Sequence, residues 1–321
     1  MQLRSKWALD VDLDNPLPEY PRPQLVRPNW VNLNGIWDAS VHDLKNEPDF
    51  SDTIVVPFPI GSELSGFNHV LQPDEVISLR RFFHNPPLGT DERLRIHFGA
   101  VDWSCTVWVN GILVGTHAGG FDPFFFDITD ALTEGGAQEI IVSVTDPTDT
   151  GHQPVGKQTL NPFAIQYTAV AGIWQTVWLE PIPITCIERV TATTNIYENS
   201  VTMTCHISNA SENMSVAFTC SANGSVIAQT EHLISQNRTE VVLNISDLRL
   251  WCPSDPFLYD LQLELVDSGG EVVDLVDSYF GAREITCEPD ENGHHRLFLN
   301  GEPVFHLGLL DQGWWPESLF T

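Results

Sequence analysis

At 321 residues, the chain exceeds the roughly 100–200 residues of one ordinary domain and is expected to hold at least two cores. Apolar residues make up 42% and aromatics 10%, enough to offset the entropy of ordering, which excludes wholesale disorder. A net charge of −28, from 43 acids against 15 bases, argues against nucleic acid or an anionic membrane as a partner, since phosphate would be repelled, and leaves a neutral ligand open.

Residues 1–10 lack the apolar run of about 7–15 residues of a secretory leader, and no stretch approaches the ~18 apolar residues of a membrane span. The expectation is a cytoplasmic protein. After a proline-rich lead over 16–28, period-two alternation dominates. Over 93–101, Leu94, Ile96 and Phe98 alternate with Arg93, Arg95 and His97, the pattern of a half-buried strand. Residues 105–110 then run into Asn110-Gly111 and on to 112–114, where Asn-Gly supplies the two positive φ values of a tight hairpin. Further strands are predicted over 124–128, 139–145 and 174–179. Many short strands separated by Gly, Pro and Asp turns predict an antiparallel sandwich of jelly-roll or related type.

Pro181 and Pro183 close that run, and the character of the chain changes. From 185 to 281 aromatics thin out while Ser, Thr and Asn rise, and strands recur at immunoglobulin-like spacing. Val201, Met203, Cys205 and Ile207 form one apolar row, Val216, Phe218 and Cys220 a second, and Leu261, Leu263 and Leu265 a third, with a turn predicted at Asn223-Gly224. Cys205 and Cys220 are too close in sequence for the inter-sheet disulfide of an antibody domain. The six cysteines lack CxxC spacing, so no metal or redox site is expected, and they are read as small buried apolar residues. Five Asn-x-Ser/Thr triplets begin at Asn209, Asn213, Asn223, Asn237 and Asn244, a number that turn-rich polar strands generate by chance. Beyond 283, a hairpin around Asn300-Gly301 leads into an apolar strand over 304–310 and the segment Asp311-Gln312-Gly313-Trp314-Trp315-Pro316.

Taken in order, these segments resemble glycoside hydrolase family 2, the group of β-galactosidases, β-glucuronidases and β-mannosidases. The resemblance rests on Pro28-Asn29-Trp30, Leu33-Asn34-Gly35-Ile36-Trp37, Arg80-Arg81-Phe82-Phe83, Val107-Trp108-Val109-Asn110-Gly111, His117-Ala118-Gly119-Gly120-Phe121 and Gly172-Ile173-Trp174-Gln175-Thr176-Val177-Trp178-Leu179-Glu180. Further on it rests on Leu250-Trp251-Cys252-Pro253-Ser254-Asp255-Pro256-Phe257-Leu258-Tyr259, Phe280-Gly281-Ala282-Arg283 and Leu299-Asn300-Gly301-Glu302-Pro303-Val304. Most of these residues are what a sandwich core and its hairpins need, and touch no sugar.

The resemblance implies an all-β chain: a jelly-roll, galactose-binding-like sandwich over 1–183, an immunoglobulin-like β-sandwich over 184–282, and over 283–321 a hairpin and the truncated first strand of a (β/α)8 barrel. It implies the front part of a retaining glycosidase that hydrolyses O-glycosyl bonds, with a carbohydrate ligand and no cofactor. The alternative is a stand-alone carbohydrate-binding module. Family members use two glutamates about 5–5.5 Å apart, deep in a barrel of about 250 residues. No catalytic residue is therefore assigned here, and paired acids such as Asp127 and Asp130 or Asp290 and Glu291 are expected by number alone. Two stretches are expected to border a sugar. One holds Asp311, Gln312, Trp314 and Trp315 at the end of the first barrel strand, where familiar β-galactosidases carry a His-rich motif instead. The other is the loop 152–172, with Lys157 and Gln158, and with Gln153 and Gln166 as further polar candidates. The open edge at 304–310 is expected to fray, fold back onto a sandwich or self-associate.

Overall fold

A computed structural model describes residues 3–321. Those residues form 26 strands and two short 3-10 helices, and they fall into two compact units. Among the described residues, no helix is long and apolar enough to cross a membrane.

Of the described residues, the first unit comprises 3–21, 29–181 and 311–321. One antiparallel sheet has the order Asp52–Val56, Gly35–Asp43, Glu75–His84, Ala137–Thr145, Ser104–Val109, Ile112–Ala118. A second sheet has the order Val31–Asn32, Val177–Pro183, Glu92–Phe98, Phe124–Asp127. Alternation aims Ile77, Leu79, Val107 and Val142 from the first sheet and Leu94, Ile96, Phe98 and Leu179 from the second into one core around Trp37. The Trp37 indole is satisfied inside that core, donating to Leu33 O at 2.8 Å.

The second face of Glu92–Phe98 is less exposed than the alternation implied. Arg93 is half-exposed and pairs with Asp127 at 2.6 Å and Asp130 at 2.9 Å, and Arg95 lies over the Phe125 ring. His97, however, is buried at 3% exposure. Its ring stacks on Trp178 with centroids 4.6 Å apart, and its Nε2 lies 3.1 Å from the buried Glu180 carboxylate, which also accepts from Tyr20 OH at 2.5 Å. The half-buried pattern therefore holds for the arginines and fails at His97, because Trp178, Glu180 and Phe125 on the two adjacent strands cover its ring.

The second unit comprises residues 22–28 and 182–310. A three-stranded sheet orders Cys186–Asn195, Ser200–Ser208 and Arg238–Asn244, and a four-stranded sheet orders Ser225–Leu233, Ser215–Ala222, Tyr259–Val266 and Val272–Phe280. Met203, Cys205, Val216, Phe218, Leu263 and Val276 meet between them, the immunoglobulin-like arrangement. Segment 22–28 lies along this sandwich: Val26 bridges Asp277 and Leu25 is 4% exposed within the core. Ile285–Pro289, His295–Leu299 and Glu302–Pro303 form a further small sheet. Val304 N still donates to Leu297 O at 2.9 Å, but residues 305–310 belong to no strand, and Phe305, Leu307, Leu309 and Leu310 are 85–99% exposed.

Asn-Gly turns close three hairpins, at Asn110-Gly111, Asn223-Gly224 and Asn300-Gly301, each with both φ values positive, from 50° to 81°. Four of the five glycosylation-like triplets begin on asparagines at positive φ, namely Asn209, Asn213, Asn223 and Asn237, so turn geometry accounts for those asparagines. The cysteine reading needs one correction. Cys105, Cys186, Cys205 and Cys220 are buried, but Cys252 is half-buried and Cys287 exposed, because the latter two sit at a tight turn and on a small sheet that covers neither.

Candidate functional site

The first unit carries a cleft of about 690 Å³ built from three chain segments. The loop 152–172 supplies one wall. There the short parallel pair Gln158–Thr159 and Tyr167–Thr168 ties the loop to itself, helped by Tyr167 N donating to Lys157 O at 2.8 Å. The second wall is Trp174 with Phe121, whose rings meet edge to face at 5.4 Å. Trp174 is held by its indole N–H, which donates to Gly120 O at 2.7 Å.

The third wall is 311–321, a small hairpin pairing Trp314–Trp315 with Leu319–Phe320. Trp314 stacks flat on Tyr167, with centroids 4.2 Å apart and planes 8° apart. Phe320 packs against Trp174 at 4.7 Å and Trp314 at 5.3 Å. Gln312 Oε1 accepts from Tyr167 OH at 2.9 Å and from Lys157 Nζ at 3.4 Å. The hairpin is anchored through Glu317, 2% exposed, whose carboxylate accepts from Ser5 N at 3.0 Å, from the Ser5 hydroxyl and from Trp315 Nε1 at 2.9 Å. Burial pushes this carboxyl up, but the Ser5 and Trp315 hydrogen bonds outweigh it and hold the pKa below the usual glutamate value.

Beneath the loop lie two buried carboxyls, Asp102 and Asp146, at 6% and 4% exposure. Burial pushes Asp102 up to about 7, the neighbouring Asp146 carboxyl adds in the same direction, and a hydrogen bond with the Gln158 side chain opposes. Burial also raises Asp146, against a hydrogen bond from Thr148 N. Gln158 thus joins buried acid to cleft wall, and its Oε1 accepts from Val170 N at 2.8 Å. Glycine is required at position 120, since a Cβ there would run into the Asp102 carboxyl.

Of the six residues singled out in the sequence, Lys157, Gln158, Gln312 and Trp314 line this one cleft, while Asp311 and Trp315 do not. Asp311 turns back to accept from Gly313 N at 2.9 Å, and the Trp315 indole is spent on Glu317. Gln153 serves its own loop, donating to Thr148 O, and Gln166 is exposed outside the cleft wall. Sequence reasoning missed Tyr167, Phe121 and Phe320 as cleft residues. An aromatic in a polar loop was the only available signal, because the partner of Tyr167 at Gln312 stands 145 positions away.

The cleft combines an aromatic wall with a few amide and ammonium groups, a lining suited to a ligand with one apolar face and several hydroxyls. Among the described residues, no Asp or Glu side chain lines it. Asp127 and Asp130 are committed to Arg93, and Asp290 to Arg296 at 2.5 Å. Among the described residues, no group of three His, Cys, Asp or Glu side chains is placed to hold a metal ion.

Comparison with known proteins agrees with this architecture. The sequence profile of the sugar binding domain of the glycosyl hydrolases family 2 matches residues 33–183, and a second family 2 profile matches 185–283. The β-galactosidase of Thermoanaerobacter pseudethanolicus is 25% identical over 292 residues, covering 87% of this chain and 38% of its own. The β-glucuronidase of Paenibacillus borealis is 23% identical over 329 residues, covering 90% and 50%. The chain therefore spans half or less of the length of these relatives. Among solved structures, a β-galactosidase-like protein of Bacteroides fragilis and the β-glucuronidase of Ruminococcus gnavus share the fold, each with a TM-score of 0.70 over 90% of the chain at 21% and 18% identity. Two profiles of one family in its domain order, laid over two sandwiches of the matching kind, show that the chain belongs to glycoside hydrolase family 2.

Proposed function

We propose that the chain serves as the sugar-binding front part of a retaining glycosidase that hydrolyses O-glycosyl bonds, and that its cleft holds part of the glycoside. The observation that carries this reading is the Tyr167–Trp314 stack beside Lys157, Gln158 and Gln312. An indole or phenol face packs against the C–H face of a pyranose, and the amides and ammonium reach its hydroxyls. The solved relatives include β-glucuronidases of Ruminococcus gnavus with D-glucuronic acid and of Bifidobacterium dentium with a coumarin glucuronide, which supports a carbohydrate ligand here. The paired carboxyls of retaining hydrolysis are not in this cleft, so the chain's own contribution is binding and orientation. Cytoplasmic residence, expected from the sequence, is supported by six cysteines with no disulfide between them.

Two measurements test this. The purified chain should quench its tryptophan fluorescence on titration with glycosides, and Trp314→Ala should abolish the response. The same chain should hydrolyse aryl glycosides no faster than buffer. Turnover by the pure chain would overturn the assignment of its role as binding, and absence of any saccharide response would overturn the cleft as a sugar site.

A further inference from the structure

We infer that Asn223 is a site of spontaneous covalent modification, deamidation to aspartate and isoaspartate, and that the fold suppresses the same reaction at Asn34, Asn110 and Asn300. The sequence holds five Asn-Gly pairs, beginning at Asn34, Asn110, Asn223, Asn292 and Asn300. Glycine has no Cβ to shield its own amide nitrogen, so every pair presents the same nucleophile to the asparagine before it. In the reaction the glycine N–H gives its proton to solvent and the nitrogen attacks the asparagine Cγ. A C–N bond forms, the Cγ–Nδ2 bond breaks, and Nδ2 leaves as ammonia. Water then opens the succinimide at either carbonyl, giving aspartate, or isoaspartate with the main chain routed through the side chain. Nothing is oxidised or reduced, and water is the co-reactant.

What separates the five is how their amides are held. Asn34 is buried, with Nδ2 donating to Pro16 O at 3.0 Å and Thr176 Oγ1 at 3.2 Å and Oδ1 accepting from Val177 N at 3.0 Å. Asn110 donates to Ala131 O and Gln138 Oε1 and accepts from Glu139 N at 3.0 Å. Asn300 donates to Trp251 O at 3.0 Å and accepts from Glu284 N at 3.0 Å. In these three, turning Cγ onto the next nitrogen breaks hydrogen bonds on both sides of the amide at once. Asn223 is exposed, and among the described residues its side chain has no hydrogen-bond partner. Its turn joins Ser215–Ala222 to the edge strand Ser225–Leu233, the Gly224 N–H donates to no backbone acceptor among the described residues, and the space beside Gly224 is open to 4 Å. Asn292 lies between these extremes. Its amide is also unheld among the described residues, but Gly293 N donates to Asp290 O at 2.8 Å, and the negative charge of Asp290 and Glu291 opposes deprotonation of that nitrogen. The isoaspartyl form adds a methylene to a two-residue turn whose length sets the pairing of Ala222 with Ser225, so modification loosens the edge hairpin of the second unit.

The test incubates the whole chain at mildly alkaline pH in heavy-oxygen water, then maps it by protease digestion and mass spectrometry over several days. Asn223 should convert about tenfold or more faster than Asn34, Asn110 and Asn300, with Asn292 in between, and isoaspartate should exceed aspartate. Each conversion should take up one solvent oxygen. In guanidinium chloride the three held asparagines should rise to the Asn223 rate, which assigns their protection to the fold. Gly224→Ala should slow Asn223 about tenfold and leave Asn292 unchanged. Conversion of Asn110 or Asn300 in the folded chain as fast as Asn223 overturns the inference. So does an Asn223 that stays intact in the folded chain while converting in denaturant. Aspartate without isoaspartate overturns the succinimide route and with it the role of Gly224.

Discussion

In the second unit a buried arginine meets its acid squarely: Arg27 Nε and Nη2 donate to the two Asp274 oxygens at 2.9 and 2.7 Å, with exposures of 5% and 2%. The spare capacity of both groups goes to the Ile187 backbone, whose oxygen accepts from Arg27 Nη2 at 2.7 Å and whose N–H donates to Asp274 at 2.8 Å. In the first unit the buried acids Asp102 and Asp146 have no ion-pair partner among the described residues and instead lie behind the loop that carries Lys157 and Gln158. The two sandwiches follow the same packing rule and differ in where they tolerate uncompensated charge. The closed sandwich resolves its buried charge, and the one with the cleft leaves it beneath a wall of its site, where perturbed titration tends to gather.

The largest effect should come from breaking the resolved pair. Asp274→Ala leaves a guanidinium buried without its acid and the Ile187 N–H without its acceptor, and removal of one partner of such a pair costs about 3–5 kcal/mol. Urea unfolding should therefore show the second unit melting early while the first keeps its midpoint. If instead the loss is under about 1 kcal/mol, typical of exposed pairs, the contrast between the two units is misplaced.

A pH experiment addresses the unresolved pair. Below about pH 4 Asp102 is protonated in both folded and unfolded chains and has no net effect. As pH rises from there toward 7, the folded state keeps a proton that the unfolded chain has lost. Stability falls over this window by roughly 1.4 kcal/mol per pH unit, then levels off above the folded value of about 7. Asp146 is shifted in the same direction. Asp102→Asn should flatten the profile, making the variant more stable than the wild type at pH 8 by a few kcal/mol and equal to it near pH 4. A wild-type profile that rises from pH 4 to 7 would mean that these carboxyls are paired in solution.

How much of this was readable beforehand divides along the same line. Turn chemistry and alternation are local, so the Asn-Gly hairpins and the rows Leu94-Ile96-Phe98 and Leu261-Leu263-Leu265 were visible in sequence and are buried or turned as the pattern demands. His97 broke its pattern because its cover comes from Trp178 and Glu180, residues that no window around position 97 contains. The cleft was half visible. Lys157, Gln158, Gln312 and Trp314 stood out through the family resemblance, but that Trp314 packs on Tyr167 while Trp315 bonds Glu317 is decided by a hairpin only a few residues long. Adjacent tryptophans on a strand must face opposite ways, and sequence alone does not say which one faces the ligand.

Trp314→Ala tests that assignment at moderate size. Loss of the stack on Tyr167 and the contact with Phe320 should lower the stability of the first unit by about 1–2 kcal/mol and abolish the saccharide response. Trp315→Phe, which removes only an indole donor outside the cleft, should leave binding intact. Equal loss of binding in both variants would show that the hairpin as a whole, rather than one face of it, forms the site.

The smallest effect asks whether the two sandwiches are alike where their chemistry is alike. Gly111 and Gly224 occupy the same place in their Asn-Gly turns, with φ of 76° and 78°, and a Cβ added to either meets nothing within 4 Å. Alanine at each position therefore pays only for the left-handed backbone, about 1 kcal/mol. Because no neighbour is involved, Gly111→Ala and Gly224→Ala should destabilise their respective units equally, within a few tenths of a kcal/mol, as read from the two urea midpoints. A substantially larger loss at Gly111 would mean that its turn is coupled to the Asn110 side chain, which donates to Ala131 O at 2.8 Å and to Gln138 Oε1 at 2.6 Å. Asn110→Ser in the Gly111→Ala background then separates the two contributions. Additive losses keep the turn local, and a non-additive pair shows that even a shared hairpin is held differently in the unit that carries the cleft.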